Sequence, residues 1–163
     1  MADNDGALVE PSDAAGRWPQ GFVDLYRSRW VPMVRLARLL TAADPQAEEL
    51  VQDTFLRVRA RWGGIDNPSA YLRAAVVNAC RNHQRRRIIE RRAPPTTGAT
   101  YNAPFELRGA IAALPLRQRT ALVLRYYEDL PEAEIAELLG CSVPAVKSLL
   151  HRAVQDLRKV IER

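Results

Sequence analysis

The stretch Asp129-Leu-Pro-Glu-Ala-Glu-Ile-Ala-Glu-Leu-Leu-Gly-Cys-Ser-Val-Pro-Ala-Val-Lys-Ser-Leu-Leu-His-Arg-Ala153 predicts a helix, a tight corner and a second helix. Ile135, Ala136 and Leu139 recur at helical spacing and bury one face. Gly140 supplies the left-handed backbone that a short corner between helices requires. Ser142 is placed to cap the next helix through its hydroxyl, and Pro144 falls in the first turn, where proline is tolerated. On the second helix Val146, Leu150, Val154 and Leu157 form the inward stripe. Ser148, His151 and Arg152 then point outward, with Lys147 at the flank. A helix-turn-helix with a donor-rich second helix has the geometry that enters a DNA major groove. An antiparallel helix pair with a solvated face is the bland alternative. The small residues at Ala136 and Gly140, where the helices must approach closely, weigh against it.

Charge points the same way. The 163-residue chain has net charge +5, and 22 of its 24 basic residues are Arg. The guanidinium fork suits phosphate and guanine recognition, although a GC-rich coding genome produces the same bias. Residues 1–16 hold four acids and no base, whereas residues 81–92 hold six Arg against Glu90. Such asymmetry favours a nucleic-acid partner. Cys80 and Cys141 are far apart, with no ligand-spaced His or Cys, so neither zinc nor a disulfide framework is indicated. The acidic N-terminus lacks an apolar core and is no signal peptide. No apolar run approaches membrane-spanning length, so no membrane insertion is expected. The expected location is the cytoplasm, in association with the nucleoid.

Helical patterning outside this stretch defines an all-α chain of two small helical domains joined by a flexible linker, with no β-type alternation and no repeat. Residues 1–18 read as a disordered tail, 19–90 as the first domain, 91–105 as a Pro/Gly/Thr-rich linker and 106–163 as the helix-turn-helix domain. Helix breaks are expected at Ala43–Pro45, Gly63–Pro68, Leu114-Pro115 and Leu130-Pro131.

Two helices of the first domain carry further chemistry. Between Pro45 and Trp62, Ala47, Leu50, Val51, Thr54 and Val58 share an inward face. Opposite them lie Glu49, Gln52, Asp53 and Leu56 at i, i+3, i+4 and i+7. An acidic stripe with an outward Leu is unusual on a basic protein and fits a docking face for a basic partner, with Leu56 as anchor. The competing reading is an ordinary solvated face with one stray Leu. The next helix is entered through a capping Asn67 and Pro68. It buries Leu72, Val76, Ala79 and Cys80 and turns Tyr71, Asn78, Arg81, Asn82 and Arg85 the other way. These groups can stack on unpaired bases, bond their edges and neutralise phosphates, and the small polar loop 63–68 can receive an extruded base. A basic solvated face with Tyr71 lying flat on its own domain fits the same spacing equally well.

Together these segments resemble the extracytoplasmic-function sigma factors of bacterial RNA polymerase, within the sigma-70 family, over nearly all of Phe22 to Arg158. Asp44-Pro-Gln-Ala-Glu-Glu-Leu-Val-Gln-Asp-Thr-Phe55 resembles the family's core-polymerase-binding helix, and Tyr71-Leu-Arg-Ala-Ala-Val-Val-Asn-Ala-Cys-Arg81 its minus-ten-reading helix. Leu114-Pro-Leu-Arg-Gln-Arg119, Leu124-Arg-Tyr-Tyr-Glu-Asp-Leu130 and Ala145-Val-Lys-Ser148 are similar to its minus-thirty-five-reading domain. Departures stand at Tyr71, where Trp is usual, at Pro131, where a capping Ser or Thr is common, and at Leu149, where Arg is frequent. By its place beside the buried stripe, Leu149 is expected to pack.

The resemblance implies a factor that docks on core RNA polymerase, reads duplex promoter DNA, captures the melted strand and needs no cofactor. The linker would thread towards the polymerase active-site channel. An anti-sigma factor is a possible further partner, and no additional C-terminal regulatory domain is expected. An autonomous helix-turn-helix regulator of duplex DNA is the alternative, but it has no use for the 49–56 stripe. A purely protein-binding module does not account for the Arg-rich run. An enzyme is disfavoured, because His83 and His151 lack paired acids, a nucleophile or a phosphate loop.

Overall fold

The computed structural model describes residues 18–91 and 105–162. The helices are α1 (Gln20–Leu40), α2 (Ala47–Ala60), α3 (Pro68–Arg91), α4 (Phe105–Ala113), α5 (Leu116–Tyr126), α6 (Glu132–Leu139) and α7 (Val143–Ile161), with a 3-10 turn at Trp62–Gly64. No strand occurs among the described residues. The expected tail falls outside the described residues apart from Trp18. The expected linker does so apart from Arg91, which ends α3, and Phe105, which begins α4.

Proline and side-chain caps set most of the boundaries. Asn67 Oδ1 accepts from the Ala70 backbone N–H at 3.2 Å, and Pro68 opens α3 behind it. Ser142 Oγ accepts from the Ala145 N–H at 3.2 Å at the head of α7. Gly140 ends α6 in the left-handed conformation, φ 63° and ψ 41°, as the corner requires. Pro131 starts α6 without a side-chain cap.

The α1–α2 corner is less conventional. Ala42 and Ala43 both sit at positive φ, 55° and 59°, a conformation that costs an L-residue roughly 1–2 kcal/mol. Asp44 holds the corner. Its side chain is 2 % exposed and accepts from the Gln46 N–H at 2.9 Å, while Arg87 and His83 of α3 reach its other oxygen. Burial, with Arg86 nearby, holds the His83 imidazole below its ordinary pKa, so at neutral pH the ring donates an N–H to Asp44 rather than a full charge.

In the first domain Phe22, Met33, Leu36, Val51, Phe55, Val58, Leu72 and Val76 form the centre. An aromatic cluster covers one end: Phe22 meets Trp18, Phe55 and Trp62 edge-on, and Tyr26 stacks on Trp30 at 5.4 Å. The apolar core does not stop at the domain limit. It continues through Ala121, Leu124, Leu130, Ile135, Leu139, Val146 and Leu150 of the second domain. A small separate cluster, Leu114, Leu122 and Ala153, joins the turn between α4 and α5 to α5 and α7. The two helical groups are therefore packed on each other, with α5 against α1 and α6 against α3.

Candidate polymerase and nucleic-acid interfaces

Alternation between core and surface on α2 separates its two faces cleanly. Ala47, Val51, Thr54, Phe55 and Val58 are buried, and Leu50 is half-buried. Glu49, Gln52, Asp53 and Leu56 all emerge on the opposite side, and Leu56 keeps 48 % of its surface exposed. An isolated exposed leucine is ordinary. One flanked by two carboxylates and an amide has the form of an anchor within a polar rim. Phe55 was absent from the sequence-based inward stripe, and the Tyr26 and Trp30 rings of α1 account for its burial.

On α3 the outward stripe holds Asn78, Asn82 and Arg85, all exposed, with Tyr71 half-buried at its head. Arg61, which the sequence did not single out, donates from Nη1 to the Tyr71 hydroxyl at 3.1 Å. These two residues, with Ala60, Gly63, Gly64 and Ile65, line an open pocket of about 470 Å³. A Cβ at Gly63 or Gly64 would meet nothing within 4 Å, so space there does not by itself demand glycine.

Arg81 departs from the expected outward placement. Only 8 % of it is exposed, and Nη1 donates to the Leu138 carbonyl of α6 at 3.1 Å. Helical spacing from Asn78 put it on the outward stripe; the second domain, seated on α3, covers it. Burial and the neighbouring Arg85 and Arg117 lower its pKa. Val77 is buried where Ala79 was expected to be, and Ala79 is half-buried.

On α7, Lys147, Ser148, His151 and Arg152 are exposed on one face behind the capped N-terminus. Val146, Leu150 and Ala153 are buried beneath them, while Val154 and Leu157 are half-buried. Leu149 packs against the core, as its place beside the stripe predicted. Lys147 Nζ lies 3.9 Å from Glu132 of α6, an exposed pairing too weak to withhold it from phosphate.

Residues 25–88 match the family described as sigma-70 region 2, and residues 105–157 match sigma-70 region 4. The RNA polymerase sigma-E factor of Streptomyces avermitilis is 32% identical over 154 residues, covering 86% of this chain and 85% of that protein. The extracytoplasmic-function RNA polymerase sigma factor SigF of Caulobacter vibrioides is 31% identical, covering 77% and 76%. The chain belongs to the extracytoplasmic-function sigma factors. The sigma factor RpoE of Bartonella quintana, solved in complex with the anti-sigma factor NepR, superposes with a TM-score of 0.77 at 22% identity. That superposition covers 88% of this chain and 98% of RpoE, and it establishes the shared fold.

Within the sigma-factor frame, region 2 holds the acidic stripe, the pocket and the α3 face, and region 4 holds the helix-turn-helix. No helix among the described residues is long and apolar enough to cross a membrane. No grouping of three or more His, Cys, Asp or Glu side chains suited to a metal occurs among them.

Proposed function

We propose that this sigma factor divides initiation among three faces. Glu49, Gln52, Asp53 and Leu56 dock on core RNA polymerase. Asn78, Asn82 and Arg85, with Tyr71 at the pocket wall, capture the melted minus-ten strand, and Arg81 joins them once it is uncovered. Ser148, His151 and Arg152 read the minus-thirty-five duplex, with Lys147 on phosphate. The working units are residues 19–90 and 106–163, tethered by 91–105. The protein performs no bond chemistry of its own and acts in the cytoplasm at the nucleoid. An anti-sigma factor, such as the one RpoE carries, would find the exposed Leu56 face the natural place to block docking.

The observation that carries this reading is the pocket beside Tyr71, at the end of the face that bears Asn78 and Asn82. A nucleic-acid face that ends in an open pocket suits extruded bases. A protein reading only intact duplex has no use for one.

Run-off transcription with purified bacterial core polymerase tests it, comparing the wild type with Gln52→Ala/Asp53→Ala. Defined start sites with the wild type and their loss in the double variant are expected. Specific duplex binding without any initiation would instead make the chain an autonomous helix-turn-helix regulator.

A further inference from the structure

The side chains that can hydrogen-bond a guest in the Tyr71 pocket are one guanidinium and one phenol. Arg61 and Tyr71 share the lining with Ala60, Gly63, Gly64 and Ile65, and Asp66, next along the chain, is not part of it. Arg61 is exposed and Tyr71 half-buried, so the fork stands open to what enters.

Arg61 is also held at both ends. Its backbone N–H donates to the Val58 carbonyl at 3.1 Å, and its own carbonyl accepts from the Gly64 N–H at 2.9 Å. Trp62 beside it packs edge-on against Phe22, with ring centroids 5.6 Å apart. At the tip, Nη1 donates to the Tyr71 hydroxyl and ties the fork to the head of α3. A guanidinium carries five N–H groups and no acceptor, so most of the fork remains for a guest. Having accepted from Arg61, the Tyr71 hydroxyl still has its proton to give. Both polar side chains of the wall therefore donate.

Paired donors discriminate among bases. Guanine sets O6 beside N7, and cytosine sets O2 beside N3, so each offers two neighbouring acceptors to a fork. In adenine the N6 amino group adjoins both N7 and N1, and its donor meets the fork like to like. Thymine alternates acceptor, donor and acceptor along the edge that melting exposes. A base extruded from the duplex presents that edge freely. Phosphate also suits a lone guanidinium, but the Tyr71 ring, Ile65 and two glycines border this one. Those surfaces match the flat face of a base better than a tetrahedral oxyanion.

We propose that Arg61 is a specificity-determining residue of the minus-ten site, admitting guanine or cytosine to the pocket and rejecting adenine. Tyr71 supplies the stacking surface and keeps the fork aligned. The inference rests on the strand-capture reading above and adds what that face discriminates.

Open-complex formation by holoenzyme containing the full-length chain tests it. A promoter that the wild type transcribes is varied to all four bases at each minus-ten position. The opposite strand is mismatched throughout, so that melting costs the same for every base. The expected result is one position at which the wild type prefers guanine or cytosine over adenine by about 5- to 150-fold. Guanine winning there marks contact with O6 and N7, and cytosine winning marks contact with O2 and N3. Arg61→Gln should turn that position towards adenine, because a Gln amide pairs with adenine N6 and N7. Other positions should respond as in the wild type. Tyr71→Phe keeps the fork and should retain the preference, reduced by no more than about fivefold.

Weaker binding of all four bases by one common factor in Arg61→Gln would overturn the proposal and assign the fork to phosphate. A wild type that accepts adenine equally well at every position would also overturn it. So would a Tyr71→Phe variant that loses the preference entirely, since the hydroxyl would then be the selector. Far-UV circular dichroism verifies folding. Should Arg61→Gln unfold, Arg61→Lys replaces it: the charge stays and the fork goes, so the preference should collapse, and its survival at full size would sink the idea. Failure of the wild type to initiate at any promoter would remove the sigma reading and this inference with it, whereas base-blind initiation removes this inference alone.

Discussion

The Arg61 guanidinium donates to the Tyr71 hydroxyl at 3.1 Å, and this bond fixes a ring at the wall of the region 2 pocket. Ring and tether make separable contributions. Tyr71→Phe keeps the stacking surface and gives up one exposed hydrogen bond, a loss of about 1 kcal/mol or less. Tyr71→Ala removes the surface on which a base stacks, roughly 1–3 kcal/mol, or about 5- to 150-fold in open-complex stability. Permanganate reactivity of promoter thymines measures this. Equal defects in the two variants would show that the ring does not stack.

On α7 the four outward residues are predicted to behave as two kinds. Arg152→Ala should cost about 1–3 kcal/mol and relax preference at one base position, whereas Lys147→Ala should weaken all sequences alike and lower the salt slope by about one. Holoenzyme binding to a set of single-base promoter variants at several salt concentrations distinguishes them. A uniform loss from Arg152→Ala would reassign that residue to phosphate.

At Gly140 a Cβ would meet nothing within 4 Å, so a substitution there tests backbone alone. With φ at 63°, Gly140→Ala should cost about 1–2 kcal/mol and lower Tm by roughly 2–8 °C. An unchanged Tm would mean that the corner relaxes into another conformation.

Burial pushes the Cys80 thiol from an ordinary value of 9.0 up to about 12. The folded chain therefore keeps a proton that the unfolded chain releases above pH 9. Stability from this group is whole below that pH and declines as pH rises towards 12, by about 1.4 kcal/mol per unit. Cys80→Ala should flatten the alkaline limb of a denaturation-midpoint profile. Thiol titration should find the half-exposed Cys141 in the native protein and Cys80 only after unfolding.

Local chemistry made much of this molecule legible in its sequence. Gly140, Ser142, Asn67 and Pro68 each act through their own backbone or the next turn, and each behaves as its residue type dictates. The outward stripes of α2 and α7 follow from helical periodicity in the same way. Long-range pairing has no such signature. Asp44 reads as a turn residue, yet it is the buried acceptor for His83 and Arg87 of α3. Ala42 and Ala43 give no hint of positive φ, because alanine is a poor choice for it. Arg61 stands ten residues from the tyrosine it tethers, and nothing in their spacing links them. Arg81 sits on the expected side of its helix, but only the position of region 4 determines that this side is covered.

The aromatic cluster gives the protein a built-in optical partition. All three tryptophans, Trp18, Trp30 and Trp62, lie in the N-terminal half, within reach of Phe22, Phe55 or Tyr26, and region 4 has none. Intrinsic fluorescence therefore observes one half of the molecule, while ellipticity at 222 nm, a general reporter of helix, observes both. When the halves share one core the two signals should melt together, and when they part the ellipticity should report a transition that the indole emission does not see.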